Sequence, residues 1–268
     1  MPCYIRFEKR HLSLPCLYPR LIQFGHIAIP TYGALTALAL VAALAAAVHF
    51  TRKLHLDPNK IWSLCLVAIF TALAGARLLL IFGHFSAFRE HPFWILGLTT
   101  IHEEWVVALS GLAGLVAVIL YALAEGLPVL DVLDCLAPAA ALGIVINRIG
   151  AFLAGLDFGL PTQGAWSVTY TSRIAALWYR TPLGIALYPV QLYEAIASLL
   201  ALGLLVWWLP RRSQAGELAG AGLFLYGVSS FVLSFYRAST EVLLIAQPAG
   251  VIAVVCAGVL LIRRRSSV

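Results

Sequence analysis

Long runs of apolar residues alternate along the chain with short polar stretches. A helix needs about 20 apolar residues to cross a bilayer, whereas a transmembrane barrel shows alternating segments of about ten residues. Seven runs are long enough, or nearly so: 27–50, 61–83, 105–124, 132–156, 188–209, 218–236 and 242–262. The pattern therefore predicts an all-α, polytopic membrane protein with seven transmembrane helices.

The composition indicates the same class of protein. The chain has 268 residues, of which 62% are hydrophobic and 11% charged, and its mean hydropathy is +0.92. A soluble domain has roughly 45–50% apolar and about 25% charged residues. The excess of apolar residues excludes a soluble globular protein, a disordered chain and a coiled coil.

One membrane domain with two flanking tails is the simplest organisation. Residues 1–26 carry scattered charges and are interrupted by Pro15 and Pro19, which is not the pattern of a signal peptide. We predict an outer tail over residues 1–26, a membrane domain over residues 27–262 and a basic inner tail over residues 263–268.

The distribution of Lys and Arg residues predicts the orientation. With the N-terminus outside, eight lie in the inner loops and tail: Arg52, Lys53, Lys60, Arg211, Arg212, Arg263, Arg264 and Arg265. The outer loops hold Arg89, Arg173, Arg180 and Arg237, and the first 26 residues add four more. The C-terminal triplet therefore carries most of the argument for an inner C-terminus. No basic stripe is interleaved with aromatic residues, so the expected partner is the lipid bilayer and not nucleic acid.

Two predicted outer loops are long and rich in aromatic side chains. Residues 84–104 contain Phe85, Phe88, Phe93 and Trp94, and residues 157–187 contain Trp166, Tyr170, Trp178 and Tyr179. Aromatic rings with a polar edge settle at the level of the lipid headgroups. Interfacial anchoring explains each ring, and the alternative is that the loops shape an entrance for a ligand from the outer leaflet.

Polar side chains that interrupt the apolar segments are informative, because a charge inside a membrane is costly. They are Arg77, Asn147, Arg148, Gln191, Tyr193, Glu194 and Arg237. Asp131 and Asp134, near the start of the fourth segment, are interpreted as acids that favour a helix N-terminus.

Arg148 is the strongest candidate for a binding residue. Its guanidinium is always charged and presents a fork of donors that matches a phosphate, so a lipid phosphate is a plausible partner in an apolar bundle. The alternative is a structural ion pair with Glu194. Gln191 and Glu194 are three residues apart and share a helical face, where they either fix helix packing or orient a cationic ligand-binding residue.

The stretch from about residue 24 to residue 262 contains eight short motifs in a fixed order. They are I-P-T-Y-G, L-D-P-N-K, G-A-R-L, L-D-V-L-D-C-L-A-P-A, N-R-I-G-A-F, F-G-L-P-T, Y-P-V-Q-L-Y-E-A and F-Y-R. A single motif such as G-A-R-L is weak, but the ordered set with seven spans is specific. It resembles the prolipoprotein diacylglyceryl transferase family.

The resemblance implies a bacterial inner-membrane enzyme whose N-terminus faces the periplasm. Such enzymes move the diacylglyceryl group of phosphatidylglycerol onto the lipobox cysteine thiol of a prolipoprotein, at its signal peptide, and use no metal or organic cofactor. The positions that match the family's functional residues are Tyr32, Arg148, Gly159, Gln191, Glu194, Tyr226 and Arg237.

From this match we expect catalytic roles for Tyr32, Arg148 and Glu194. We expect the substrate to be bound by Arg148, Gly159, Gln191, Tyr226 and Arg237, together with Arg77.

The chain also departs from the family pattern at several polar positions. Leu109 and Ser110 stand where the family has histidine and glycine, and Ser230 replaces an arginine of the sixth segment. The other departures are Ala151, Ala154, Leu156 and Leu160. Since Leu109 cannot accept a proton, His102, Glu103 or Glu104 is a candidate replacement base.

Two hypotheses remain open from the sequence. The first is a divergent transferase with Arg148 at the lipid phosphate. The second is a non-catalytic paralogue that binds phospholipid or a lipoprotein precursor.

Overall fold

The computed structural model describes residues 3–7, 10–14, 19–24, 27–85, 104–164, 166–238, 251 and 254–255. The chain divides into two compact units, one formed by Met1–Ala46 with Asp134–Val268 and the other by Ala47–Leu133.

Seven α-helices are described. They are α1 (Thr31–Leu54), α2 (Pro58–Gly83), α3 (Glu104–Ala124), α4 (Val129–Ala154), α5 (Arg173–Tyr179), α6 (Val190–Trp208) and α7 (Glu217–Ser234). All except the short α5 are long and apolar enough to cross a membrane. These six confirm the first six predicted spans, whereas most of the seventh, 242–262, lies outside the described residues.

Large apolar side chains are exposed along the spanning helices. Phe70, Phe82, Leu120 and Leu200 are each more than 60% exposed. Contiguous apolar surface of this kind is unfavourable in water and favourable against lipid tails. The chain is therefore a multi-pass membrane protein.

Small residues let helices of the same unit approach closely. A Cβ atom added to Gly150 of α4 would lie 2.8 Å from Cβ of Leu35 in α1, and one added to Gly143 would lie 3.3 Å from Cβ of Ala43. In the other unit, a Cβ on Gly114 of α3 would lie 3.3 Å from the carbonyl oxygen of Ala68 in α2. Gly143 and Gly150 therefore serve helix packing.

The L-D-P-N-K motif starts α2. The side chain of Asp57 accepts a hydrogen bond of 2.9 Å from the backbone N–H of Asn59, and Pro58 occupies the first helical position, where no N–H is needed. Lys60 forms an ion pair of 3.1 Å with Glu125. The motif is thus explained by helix capping and packing.

Asp134 has a different role from the one predicted. It is fully buried in α4 and accepts hydrogen bonds of 2.8 Å from the backbone N–H groups of Gly216 and Ala219, at the N-terminus of α7. Arg212 contributes an ion pair of 2.7 Å. Asp134 therefore caps a helix that begins 83 residues later, and not its own helix.

Short strands accompany the helices, which the all-α prediction did not include. They are β1 (Cys3–Phe7), β2 (Arg10–Leu14), β3 (Arg20–Phe24), β4 (Ile27–Pro30), β5 (Ser167–Thr169) and β6 (Ala186–Leu187). An antiparallel sheet has the order β2-β1-β5-β6, with Tyr4 opposite Thr169, and β3 pairs with β4. The pairing of β1 with β5 joins residues more than 160 positions apart, so no local pattern predicts that pairing.

The predicted outer loop 157–187 is an ordered cap built from β5, α5 and β6. Tyr170 is fully buried in it with Val168, Leu187 and Phe152. Burial of Tyr170 contradicts interfacial anchoring of that ring, whereas Trp166 is 60% exposed. Most of the other aromatic loop, residues 86–103, lies outside the described residues.

Candidate active site

Four helix ends of one unit bring the predicted polar residues together. Arg148 lies two turns before the end of α4, and Glu194 lies one turn into α6. Arg237 follows the end of α7 by three residues, and Tyr32 is the second residue of α1. Contacts within this unit bring the four ends together.

Two arginines share one glutamate at this end. The carboxylate of Glu194 forms an ion pair of 2.9 Å with Nε of Arg148, and its other oxygen accepts a hydrogen bond from Nη2 of Arg237. Nη1 of Arg148 donates to Oδ2 of Asp157 at 2.8 Å. We call Arg148, Asp157, Glu194 and Arg237 the four-charge cluster. Its two positive and two negative side chains give the cluster a net charge of zero.

The cluster is largely withdrawn from solvent. The side chains of Glu194 and Arg237 are 10% and 8% exposed, whereas those of Arg148 and Asp157 are 21% and 18% exposed. Charges in such a setting must be paired, because the penalty for desolvating an unpaired charge is large. The ion pair between Arg148 and Glu194, which was the alternative interpretation of Arg148, is present in the structure. The phosphate role of Arg148 stays a prediction.

A tight reversal after α4 places Asp157. The backbone N–H groups of Gly155 and Leu156 both donate to the carbonyl of Ala151, and Gly155 has a φ of 83°. Asp157 itself has a φ of 55°, in the left-handed region that Asp and Asn adopt more readily than other side chains. The chain thus turns back so that a carboxylate nine residues after Arg148 reaches its guanidinium.

The side chain of Gln191 holds the reversal after α4 in place through hydrogen bonds. Its side chain is fully buried and donates to the carbonyl oxygen of Leu156, next to Asp157, and to the hydroxyl of Tyr170 at 3.4 Å. Its Oε1 atom has no hydrogen-bond partner among the residues that the structure describes. The contacts of Gln191 are those of a positioning residue.

Gly159 joins the reversal to the ends of two helices. Its N–H donates to the carbonyl of Tyr188 at 3.2 Å, and it pairs as an isolated bridge with Arg237. A Cβ atom at this position would lie 2.5 Å from the Tyr188 oxygen and 2.7 Å from Cγ2 of Val190. Gly159 therefore permits backbone contact, which positions Arg237.

Two tyrosines lie beside the cluster. Tyr32 and Tyr226 are both near enough to Arg148 to interact with it electrostatically. Asn147 donates to Oγ1 of Thr36 at 3.0 Å and lies 3.5 Å from the hydroxyl of Tyr32. Tyr32 also packs against the buried Tyr179, and burial together with the neighbouring Tyr32 raises the pKa of the Tyr179 phenol.

The remaining predicted residues are not brought to the cluster by any described contact. Arg77 lies in α2 and belongs to the unit Ala47–Leu133, so its binding role stays a prediction. Leu109 is 46% exposed on α3, and Ser110 donates to the carbonyl of Val107 within that helix. Of the candidate bases, His102 and Glu103 lie outside the described residues, and Glu104 is the first residue of α3.

Asp157 is the residue that sequence reasoning missed. It is the first residue of the predicted outer loop 157–187, where a solvent-exposed acid is common. The sequence did contain one signal for Asp157. A glycine, Gly155, precedes this acid by two residues and follows the apolar segment that contains Arg148. Its significance depends on the left-handed turn, which only the structure shows.

Two apolar cavities lie near the cluster. One, of about 470 Å³, is a groove between α6 and α7 that runs from Tyr193 and Leu233 at the cluster end to Leu204 and Phe224. The other, of about 100 Å³, lies under Trp166 and is lined by apolar residues with Ser167 and Tyr193. Arg148 lines neither. No group of three potential metal ligands occurs among the described residues.

Chemically, the cluster can bind an anion at the end of an apolar bundle. Two guanidiniums lie on either side of one carboxylate, and guanidiniums bind phosphates through paired N–H donors. The hydroxyl of Tyr32, which Asn147 contacts, adds a further hydrogen-bonding group.

Comparison with known proteins identifies the family. The family model described as prolipoprotein diacylglyceryl transferase matches residues 19–263. The phosphatidylglycerol–prolipoprotein diacylglyceryl transferase of Clostridium tetani is 28% identical over 219 residues, which are 82% of this chain and 85% of that protein. The corresponding enzymes of Idiomarina loihiensis and Prochlorococcus marinus are 31% and 32% identical, over 84% and 78% of this chain and 82% and 73% of their own lengths. The chain therefore belongs to the prolipoprotein diacylglyceryl transferase family.

Proposed function

We propose that this chain transfers the diacylglyceryl group of phosphatidylglycerol to the lipobox cysteine thiol of prolipoproteins. Family membership over nearly the whole chain supports the reaction. The observation that carries the site assignment is the pair of arginines around Glu194, at one end of an apolar helical bundle.

The reaction exchanges one bond for another. The cysteine sulfur attacks the glyceryl carbon that bears the phosphate, a thioether forms, and the bond between this carbon and the phosphate oxygen breaks. Glycerol phosphate leaves with the electron pair of that bond, and the thiol loses its proton. The protein must therefore stabilise the departing phosphate and accommodate two acyl chains between apolar helices.

Arg148 and Arg237 are suited to the departing phosphate. Preorganised cationic donors stabilise charge that develops in the transition state, and they do so more strongly where water is excluded. Glu194 keeps both guanidiniums in place, and the hydroxyl of Tyr32 lies 3.5 Å from the side chain of Asn147, the neighbour of Arg148 in sequence. Catalytic roles for Tyr32, Arg148 and Glu194 rest on this proximity.

The thiol proton has no assigned acceptor among the cluster residues. Since free cysteine has a pKa of about 8.5 and the thiolate is the nucleophile, a few per cent is already ionised near neutral pH. His102 or one of the acids Glu103 and Glu104 remains our candidate base. No metal or cofactor is part of the proposed mechanism.

We further propose seven spans in a bacterial inner membrane, with the N-terminus periplasmic and the C-terminus cytoplasmic. Residues 242–262 are apolar enough to form the seventh span, and residues 263–265 are all arginine, which favours the cytoplasmic side. The cluster lies at the N-terminal end of α1, so this orientation puts it on the periplasmic side. The tails 1–26 and 263–268 flank the membrane domain.

Replacing Arg148 tests the site. Arg148→Gln should lower transfer of labelled diacylglycerol from phosphatidylglycerol to a lipobox peptide roughly a hundredfold to a thousandfold, because an interaction with developing charge contributes factors of that order. The matched control is Arg211→Gln, since Arg211 is exposed and stacks on Trp207 at the other end of α6. Full activity of Arg148→Gln would refute the site assignment.

The rival hypothesis, a non-catalytic paralogue that binds phospholipid or precursor, has support from two features. Leu109 cannot act as a base, and Asp157 already occupies a donor of Arg148. Complementation of a transferase-depleted strain separates the two. Growth with wild-type protein but not with Arg148→Gln supports the enzyme, whereas lipid binding without growth supports the paralogue.

A further inference from the structure

We propose that Asp157 is an internal counter-anion of Arg148 that the phosphate of the donor lipid displaces, so that Asp157 sets the affinity of the site for the anionic headgroup. The proposal rests on the proposed function, because it takes phosphatidylglycerol as the donor.

The charge balance of the four-charge cluster motivates the displacement. Two guanidiniums face two carboxylates, so the cluster is neutral before any substrate binds. A phosphodiester adds one negative charge to a site whose members are at most 21% exposed. An uncompensated charge is costly in such surroundings, so one carboxylate must give way when the headgroup binds.

The contacts of the two carboxylates show which one moves. Glu194 pairs with both arginines and lies on the rigid backbone of α6, so its departure would leave two guanidiniums without their shared partner. Asp157 pairs with Arg148, sits in a loop after α4 and has a more exposed side chain than Glu194. Displacing Asp157 therefore costs less than displacing Glu194.

The geometry of the guanidinium leads to the same residue. Bidentate binding of a phosphate needs either Nε with one terminal nitrogen or both terminal nitrogens. Asp157 accepts a hydrogen bond from Nη1, whereas Oε2 of Glu194 lies 2.9 Å from Nε and accepts no hydrogen bond from it. The carboxylate of Asp157 thus competes with a phosphate for Nη1, and movement of Asp157 opens the pair of terminal nitrogens while Glu194 stays in place.

Displacement lowers the apparent affinity for the lipid in a predictable way. A ligand that binds only the open form has an apparent Kd equal to its intrinsic Kd divided by the fraction of protein in that form. Asp157→Asn keeps the shape of the side chain, tolerates the left-handed backbone and removes the competing charge. We expect it to bind phosphatidylglycerol about tenfold more tightly, the change that a charge-assisted hydrogen bond is worth.

The test compares wild-type protein with Asp157→Asn, Asp157→Glu and Asp131→Asn. Asp157→Glu keeps the negative charge at position 157. Asp131→Asn removes an acid from the first turn of α4, at the opposite end of that helix from Arg148. Binding of phosphatidylglycerol in mixed micelles is measured without peptide, with phosphatidylethanolamine micelles as the reference. KM and kcat for transfer to a lipobox peptide are then measured on the same preparations.

We expect Asp157→Asn to lower both the Kd and the KM for phosphatidylglycerol about tenfold, because the charge that competes with the phosphate is removed. Asp131→Asn should stay near wild type, and Asp157→Glu, which keeps the negative charge, should not bind phosphatidylglycerol more tightly than wild type. An unchanged Kd, or a lower kcat at unchanged Kd, would overturn the proposal and make Asp157 a residue that holds Arg148 in position.

The two proposals fail in different ways. If wild-type protein transfers no diacylglycerol, the proposed function is wrong, while the binding measurement still tests the role of Asp157. If transfer is normal but Asp157→Asn binds no more tightly than wild type, the function stands and the displacement is wrong.

Discussion

Arg148 and Arg237 share the carboxylate of Glu194, and this sharing determines what each side chain does. A guanidinium inside an apolar bundle needs a counter-charge, and Glu194 provides one for both. The sequence marks all three as costly residues in a membrane, but it does not give their pairing. Gly159 is a second single residue on which the site depends, because the backbone of Tyr188 fills the space that a side chain would occupy.

Gly159→Ala should therefore disrupt the site. The added Cβ would lie 2.5 Å from the Tyr188 oxygen, so the backbone around Tyr188 and Arg237 must shift. Overpacking of this kind costs about 1–3 kcal/mol of stability, and we expect transfer to fall about a hundredfold, because a displacement near 1 Å has that effect.

The matched control is Gly203→Ala in α6, where an added Cβ meets no atom within 4 Å. Alanine favours a helix over glycine, so this variant should be as stable as wild type or slightly more stable. Thermal unfolding in detergent and the peptide transfer assay give both readouts. Equal behaviour of the two variants would contradict the role given to Gly159.

At the scale of elements, helix ends carry the polar contacts. The C-terminal end of α4 and the N-terminal end of α6 hold the four-charge cluster together with the residues after α7. At the other end of α4 and α7, Asp134 of α4 accepts hydrogen bonds from two backbone N–H groups at the N-terminus of α7. The termini of membrane helices have unpaired backbone groups, and Asp134 provides acceptors for two of them.

Asp134→Ala should destabilise the protein while leaving its chemistry largely intact. The change leaves two backbone N–H groups and Arg212 without their buried acceptor, a loss of about 3–5 kcal/mol for a broken buried pair. Since Asp134 and Arg148 lie at opposite ends of α4, transfer measured well below the unfolding temperature should stay within a few-fold of wild type.

Asp131→Ala is the control, because Asp131 is an acid of the same helix turn that is partly exposed. Thermal unfolding in detergent should show a clear loss of stability for Asp134→Ala and a small one for Asp131→Ala. An unfolding temperature of Asp134→Ala equal to that of wild type would show that the cap contributes little.

At the scale of the whole molecule, the membrane determines the architecture. Six described helices are long and apolar enough to span it, and the apolar run at 242–262 supplies the proposed seventh span. An odd number of spans puts the two termini on opposite sides. The proposed orientation then exposes the cap after α4 to the periplasm and the turn between α6 and α7 to the cytoplasm.

Cysteine labelling tests this orientation. In a variant with the five native cysteines replaced by serine, Gln163→Cys should react with a membrane-impermeant maleimide in intact spheroplasts. Ala215→Cys, in the exposed turn before α7, should react only after permeabilisation. The reverse labelling pattern would invert the proposed topology.

The sequence by itself determined the class of the protein, six of its spans and its family. Each follows from information that is local or ordered along the chain: apolar length, composition, and a series of motifs. It also marked Arg148, Glu194 and Arg237, because a charge within an apolar run is conspicuous wherever the helix ends up.

Only the tertiary structure decided the pairings. Asp157 reaches Arg148 through a left-handed turn, Asp134 caps a helix far along the chain, and β1 pairs with β5. Tertiary packing also buries the ring of Tyr170, which is therefore not interfacial. Hydrogen bonds and ion pairs depend on distances between segments that are remote in sequence, and a pattern of hydrophobic and polar positions contains no such distances.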